Sequence, residues 1–401
     1  MPRFNTLDDL PLAGKTVLLR VDYNVPIKDG RITDLTRLER TLPTLLDLIK
    51  AGAKIVILSH FGRPKGKRQD SMSLRPVAQA LSTLIKRPVA FAEDCKGEDV
   101  KKAVAALSSG EILMLENVRF YEGEEKGDPA FAQELAALGD VFVNDAFGAA
   151  HRAHASTTLL ARLLPSAAGR LMQSELTALK DALDDPQHPV AALVGGSKIS
   201  TKLDLLFNLV SKVDVLVLGG GMANTFLAAQ GIALGRSLYE ADMLEQAAKI
   251  TQRAADAGCT ILLPADVVVT TEIKEGEGSQ TVNIDQIPQN KMVVDLGSQA
   301  IKTINETLAR CKTVLWNGPL GVFEVKPFDH ATNEVGRHIA ALTKSGQLLS
   351  VAGGGDTIAA ITHADLGDGI SYISTAGGAF LEYLEGKTLP GVEALEKAAT
   401  L

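Results

Sequence analysis

The chain has 401 residues, 46% of them hydrophobic, 22% charged and 4% aromatic, with a formal net charge of −7. This is the composition of a globular chain with ample core and two or more domains, and it excludes disordered, fibrous and membrane-spanning classes. The acidic total argues against a nucleic-acid binder, and three scattered cysteines (Cys95, Cys259, Cys311) exclude a disulfide framework or a cysteine zinc site.

The charge is unevenly spread. Residues 1–170 carry 24 Lys+Arg against 21 Asp+Glu, whereas the remainder carries 17 against 27. Thirteen arginines fall in the first segment and four in the second. Arginine is the fork-shaped partner of carboxylate and phosphate, so the first segment is expected to hold a small anion. The N-terminal stretch lacks a signal-like apolar core, and a reducing cytoplasm is the expected compartment.

Taken in order, a strand from Thr16 ends at Asp22 and Asn24 before Pro26, and a helix is predicted over Leu35 to Lys50 with Arg37 in its first turn. A strand over Lys54–Leu58 runs into Ser59-His60-Phe61-Gly62-Arg63-Pro64, followed by a basic loop, a helix over Pro76–Ile85 and a short strand to Phe91. The strand Ile112–Leu115 ends in Glu116-Asn117-Val118-Arg119, and the acidic run from Glu122 to Asp128 reads as a solvated loop. A helix over Pro129–Leu138 leads to the strand Val141–Val143 and then to Arg152. His151 and His154 lack the HExxH spacing of a zinc site.

A helix over Leu171–Leu183 is the expected connector to a second βα series. That series opens with the strand Val190–Val194, then Gly195-Gly196-Ser197-Lys198-Ile199-Ser200-Thr201-Lys202. Apolar periodicity from Ile199 predicts a helix with both lysines in its first turns, on one face and beside unpaired helix N–H groups. The strand Val213–Leu218 ends in Gly219-Gly220-Gly221, and Asn224 stands where a dinucleotide fingerprint would place its third glycine. Further strands are predicted at Thr260–Leu263, Met292–Val294, Val314–Trp316, Leu348–Val351 and Ser371–Ile373. One ends in Asn317-Gly318-Pro319 and, farther on, Glu324; another in Gly353-Gly354-Gly355-Asp356-Thr357. Asp356 can cap the following helix or hold a magnesium ion between phosphates.

The alternation predicts an α/β fold of two doubly wound parallel-sheet domains, Rossmann-like and bilobal with a central cleft. Polar residues gather just after the C-terminal ends of successive strands, where open α/β sheets bind ligands. The expected division is residues 1–170, an interdomain helix over 171–185, and residues 186–387. Arginines in one domain suit a phosphorylated acid, and glycine loops with Lys and Asp in the other suit a nucleotide, so phosphoryl transfer after domain closure is the leading reading. A nicotinamide-dependent dehydrogenase and a non-catalytic binding protein are the alternatives.

The motifs RVDYNVP, SHFGRP, LENVRF, DAFGAAHRAHAS, VGGSKISTK, GGGMANTF, WNGPLGVFE and AGGGDT, in this order over nearly the whole chain, resemble the phosphoglycerate kinases. The resemblance implies reversible transfer of the acyl phosphate of 1,3-bisphosphoglycerate to ADP with Mg²⁺, giving 3-phosphoglycerate and ATP, in a cytoplasmic monomer without nucleic-acid or membrane partners. It implies substrate contacts at Asp22, Asn24, Arg37, His60, Phe61, Gly62, Arg63, Arg119 and Arg152. On the nucleotide side it implies Lys198, Gly219, Gly220, Asn317, Pro319, Glu324 (ribose) and Gly353 to Thr357, with Asp356 as metal ligand. Lys202 matches the lysine that follows the phosphoryl group, and Arg37, Lys198, Gly354 and Gly355 complete the implied catalytic set. Tyr23 and Ser197 occupy places where relatives vary, and residues 388–401 resemble a tail returning to the N-terminal domain.

Overall fold

Short apolar runs, buried on both faces, build two parallel sheets in the computed structural model, which describes residues 4–28, 31–276 and 278–400. The chain divides into two compact units. One holds residues up to Leu176 together with the segment from Thr388 onward, and the other holds Thr177–Lys387. The boundary falls inside the helix Arg170–Leu179, which continues as a wider π-helical turn, Lys180–Asp184.

In the first unit the strands are β1 (Thr16–Arg20), β2 (Lys54–Leu58), β3 (Ala90–Phe91), β4 (Ile112–Met114), β5 (Val141–Asn144) and β6 (Ser166–Ala168). They pair in parallel in the order β3-β4-β2-β1-β5-β6. The order reverses between β1 and β5, so the residues following these two strands border a natural binding crevice. The predicted helix over Leu35–Lys50 is two helices, Thr36–Glu39 and Leu42–Lys50. Pro43 is the cause: it offers no N–H and its ring would clash with the carbonyl one turn back, so it is accommodated only at a helix start. The C-terminal helix Pro390–Ala398 packs on Leu160–Leu163 and β6, with the Gly391 amide donating to the Ala150 carbonyl at 2.8 Å.

The acidic run is not a solvated loop. Residues Glu122–Lys126 form a short helix, and Glu124 in it is fully buried.

The second unit's sheet contains β7 (Val190–Val194), β8 (Val215–Leu218), β9 (Thr260–Leu262), β13 (Thr313–Asn317), β14 (Leu349–Gly353) and β15 (Tyr372–Ser374). All are parallel, in the order β9-β8-β7-β13-β14-β15. The switch point lies between β7 and β13, which is the dinucleotide-fold arrangement. The strand expected at Met292 does not join this sheet. It belongs to a separate antiparallel one formed by β10 (Asp266–Thr270), β11 (Ser279–Asn283) and β12 (Met292–Leu296). Trp316, Val335 and Ile339 anchor the core beneath the switch point.

Candidate active site

In the first unit, side chains from four successive strand ends meet around a cavity of about 270 Å³. Asp22 and Asn24 follow β1, His60, Gly62 and Arg63 follow β2, Arg119 follows β4, and Arg152 lies beyond β5; Arg37 reaches in from its helix. Asn117 pins the loop after β2: its Nδ2 donates to the carbonyls of Phe61 (2.7 Å) and Met72 (3.0 Å), and its Oδ1 accepts from the Phe61 and Arg119 amides. Asn24 Oδ1 accepts from the Gly62 amide at 2.9 Å, where a φ of +60° calls for glycine. Phe61 itself turns into the core, so this phenyl group supports the loop rather than lining the cavity.

Charge on this wall is unbalanced toward positive. Asp22 is paired with Arg37 at 2.6 Å, leaving Arg63, Arg119 and Arg152 facing the space with no paired carboxylate among its lining residues. Burial alone would raise the Asp22 carboxyl, but the charges of Arg37 and Arg20 and the Asn24 amide outweigh it and hold it below the usual range. Burial also lowers Arg119, and Arg20 adds to this, to about 10; it stays cationic at neutral pH. Arg119 Nη1 donates to the Gly62 carbonyl at 2.9 Å, and Glu125 stands 3.4 Å from its Nε. Burial pushes the His60 imidazole well below its ordinary pKa, and Arg20, Arg119 and Arg37 add to this against the pull of Asp22. His60 is therefore neutral.

Behind this wall lies a group that the sequence does not advertise. Arg20, at the end of β1, is fully buried, and its Nη2 lies 3.1 Å from His60 Nδ1. The apolar strand around Arg20 was the available signal: an arginine in such a position must find buried partners.

In the second unit, glycine segments cross at the ends of β7 and β13 with almost no clearance. A Cβ on Gly195 would stand 1.8 Å from the Pro319 carbonyl oxygen, and Gly318 has φ +107°. Around this crossing, Asn317 Nδ2 donates to the Gly353 carbonyl (2.7 Å), and Thr357 Oγ1 accepts from the Gly318 amide (2.7 Å). Lys202 Nζ donates to the carbonyls of Gly195 (2.9 Å) and Asn317 (3.2 Å). Burial draws the Lys202 ammonium down to about 8, opposed by Asp356. The helix Gly355–His363 begins at the end of β14 and directs its first N–H groups outward, whereas at the start of Gly220–Ala229, after β8, the Gly220 and Met222 amides donate to the carbonyls of Leu320 (2.9 Å) and Gly196 (3.1 Å).

Beside these loops is a cavity of about 250 Å³, lined by Gly220, Pro319, Glu324 and Asp356 on one side. Apolar lining comes from Val267, Ile273 and the apolar residues of β12, an antiparallel contribution that βα periodicity does not foretell. Gly219, Asn317, Gly353, Gly354, Gly355 and Thr357 belong to the strand-end junction, not to the lining.

The two lysines do not share a helix face. The helix begins only at Leu203, with Lys202 at its N-cap position and Lys198 exposed in the preceding loop. Glu240 accepts from the Ser200 amide (2.9 Å) and hydroxyl (2.6 Å), and Gly196 adopts φ +132°, which together hold the segment out of helical form. Asp356 makes no capping bond, so its exposed carboxylate remains available to a cation. Asn224, at the third fingerprint position, is buried and donates to the Leu238 carbonyl at 3.0 Å, so the dinucleotide fingerprint is not completed here.

Arginines that gather an acid and glycine loops that admit phosphates can position reactants and neutralise their oxygens, and a protein contributes little else to phosphoryl transfer. The class is that of the phosphotransferases. Comparison with known proteins narrows it. A sequence model of the phosphoglycerate kinase family matches residues 7–387. A phosphoglycerate kinase of Ruegeria sp. is 59% identical over 393 residues, covering 98% of this chain and 99% of the relative. One of Mesorhizobium japonicum is 56% identical over 398 residues, covering 99% and 100%. The solved phosphoglycerate kinase of Coxiella burnetii superposes with a TM-score of 0.93 at 42% identity, covering 99% of this chain and 100% of that one. That of Pyrococcus horikoshii gives 0.81 at 32%, covering 99% of each. The chain belongs to the phosphoglycerate kinase family. It reversibly transfers the acyl phosphate of 1,3-bisphosphoglycerate to ADP, a glycolytic phosphotransfer whose acceptor in reverse is a carboxyl group.

Proposed function

We propose that the first unit's pocket holds 3-phosphoglycerate or 1,3-bisphosphoglycerate and that the second unit's glycine crossing holds the nucleotide. The observation that carries the division is the asymmetry of charge: arginines line one cavity, while glycine amides, Asp356 and an apolar wall frame the other. Arg63, Arg119 and Arg152 bind substrate oxygens, His60 donates one neutral hydrogen bond, and Arg37 is held for the acyl end by Asp22. Pro319 and the apolar wall take the base, Glu324 the ribose hydroxyls, and the amides of Gly354 to Thr357 the phosphates.

Magnesium fits this second site only in company. Among the described residues no three acidic, histidine or cysteine side chains gather as a metal cage, whereas one exposed carboxylate beside phosphate amides is the usual way this ion is held. Asp356 would hold it, and the ion supplies charge neutralisation on the nucleotide phosphates. Lys202 exchanges its two carbonyl partners for the migrating phosphoryl oxygens, and Lys198 serves as an outer phosphate contact. Direct in-line transfer then requires the two reactants to be brought together, which we assign to hinge closure of the units. No described helix is long and apolar enough to cross a membrane, in keeping with small-molecule partners in the cytoplasm.

Calorimetry on Arg63→Ala tests the division. The variant is expected to bind 3-phosphoglycerate at least tenfold more weakly with MgADP affinity unchanged; the reverse selectivity would overturn it.

A further inference from the structure

Glu124, the one buried residue of the helix Glu122–Lys126, has no part in the chemistry described so far, yet it reaches the anion pocket by an unbroken chain of hydrogen bonds. Glu124 Oε2 accepts from the Ser156 amide at 2.9 Å, and Oε1 accepts from the Ser156 hydroxyl at 2.6 Å. With its proton committed to Glu124, Ser156 Oγ accepts from Arg20 Nε at 2.7 Å. A second Arg20 nitrogen donates to the Val21 carbonyl, and Nη2 lies 3.1 Å from His60 Nδ1. Glu124, Ser156 and Arg20 are all fully buried.

Direction along this chain is set by chemistry. A guanidinium has only donors, so His60 Nδ1 must accept. The imidazole proton is thereby placed on Nε2, which lies 3.8 Å from Asp22 Oδ1 on the cavity wall. Without the clamp, either ring nitrogen could carry the proton, and half of those states would turn a lone pair toward an incoming anion. Arg20 also needs a counter-charge in this dry setting. Asp22 and Glu124 are the carboxylates that oppose its burial, and Glu124 reaches it through a single hydroxyl.

We propose that Glu124 and Ser156 are positioning residues for substrate binding: they fix Arg20, which locks His60 as the Nε2–H tautomer and presents that N–H to an oxygen of bound phosphoglycerate. The proposal rests on reading the first unit's pocket as the phosphoglycerate site. Burial is the main cause of the depressed imidazole pKa, and the same geometry adds to it, since a proton on Nδ1 would meet the guanidinium. The charged groups facing the ring are Asp22, Arg20, Arg119 and Arg37.

Long-range proton–nitrogen NMR on ¹⁵N-histidine protein, without ligand, reads the tautomer directly, and calorimetry reads the consequence. His60 is expected as Nε2–H, unchanged from pH 6 to 8, in the unaltered protein. In Ser156→Ala and in Glu124→Gln its two nitrogens should average toward a mixture. Both variants should bind 3-phosphoglycerate about tenfold more weakly, and MgADP within twofold of the original. A His60 that is Nδ1–H or imidazolium at pH 7 in the unaltered protein would overturn the proposal even if neither variant folds. So would an unaltered tautomer and affinity in both variants. If the unaltered protein showed the expected tautomer but bound no 3-phosphoglycerate, the pocket reading would fall while the clamp itself stood.

Discussion

Lys202 shows how one residue can be held ready. Its ammonium is paired with two backbone carbonyls and no carboxylate, and burial lowers its pKa to about 8. Because the folded-state pKa lies below the ordinary lysine value, the free protein loses the charge as pH rises through about 8. Phosphate affinity that depends on this charge must fall over the same range. We expect MgATP affinity by calorimetry to decline from pH 7 to pH 9 in the unaltered protein and to be flat over that interval in Lys202→Ala; matching curves would exclude the lysine from contact with the transferable phosphoryl group. At pH 7 the alanine variant should lose kcat by roughly a hundredfold, since one positioned charge on a developing oxyanion contributes on the order of 3 kcal/mol. Sequence alone makes this lysine visible as a candidate but not its setting. Helical periodicity from Ile199 seats it beside Lys198, and the pull of Glu240, 40 residues on from Ser200, together with the Gly196 backbone, keeps the two apart.

The helix His330–Lys344 is tethered at its start by Asp295 of β12, whose Oδ2 accepts from the Ala331 amide at 2.9 Å while Oδ1 is buried without a partner. Burial raises this carboxyl to about 8, and the backbone amides of Ala331, Leu296 and His330 only partly offset it. A folded-state pKa above the unfolded one gives a contribution that is whole below pH 4 and is lost as pH rises through about 8. Asp295→Asn keeps an accepting oxygen and cannot ionise. Its urea midpoint should match or exceed that of the unaltered protein at pH 8, and the gap should close toward pH 5. A larger loss at pH 8 than at pH 5 would show that the carboxylate is stabilising there.

Strand ends were the most legible elements in the sequence, because apolar runs such as Val190–Val194 terminate abruptly in Asp, His, Arg or Gly and the parallel fold brings such ends together. The short helix at Glu122 and, apart from the strand at Met292, the sheet β10-β11-β12 were not legible. In the first, Glu124 is buried against Ser156, 32 positions away, and the second comprises five-residue strands, one of them largely polar, inside a βα series. Local pattern carries no record of such partners.

For the whole molecule, the central point is that acid and nucleotide are assigned to different compact units of one chain. If transfer is direct, the particle should be more compact with 3-phosphoglycerate and MgADP together than with either alone. Small-angle scattering reads this as a smaller radius of gyration in the ternary sample, and identical profiles would remove the closure step. The activity itself is tested most directly by a coupled assay in which 1,3-bisphosphoglycerate formed from 3-phosphoglycerate and ATP is reduced at the expense of NADH. NADH should disappear only when 3-phosphoglycerate, ATP and magnesium are all present, whereas no loss of NADH, or loss that persists without 3-phosphoglycerate, would contradict the assignment.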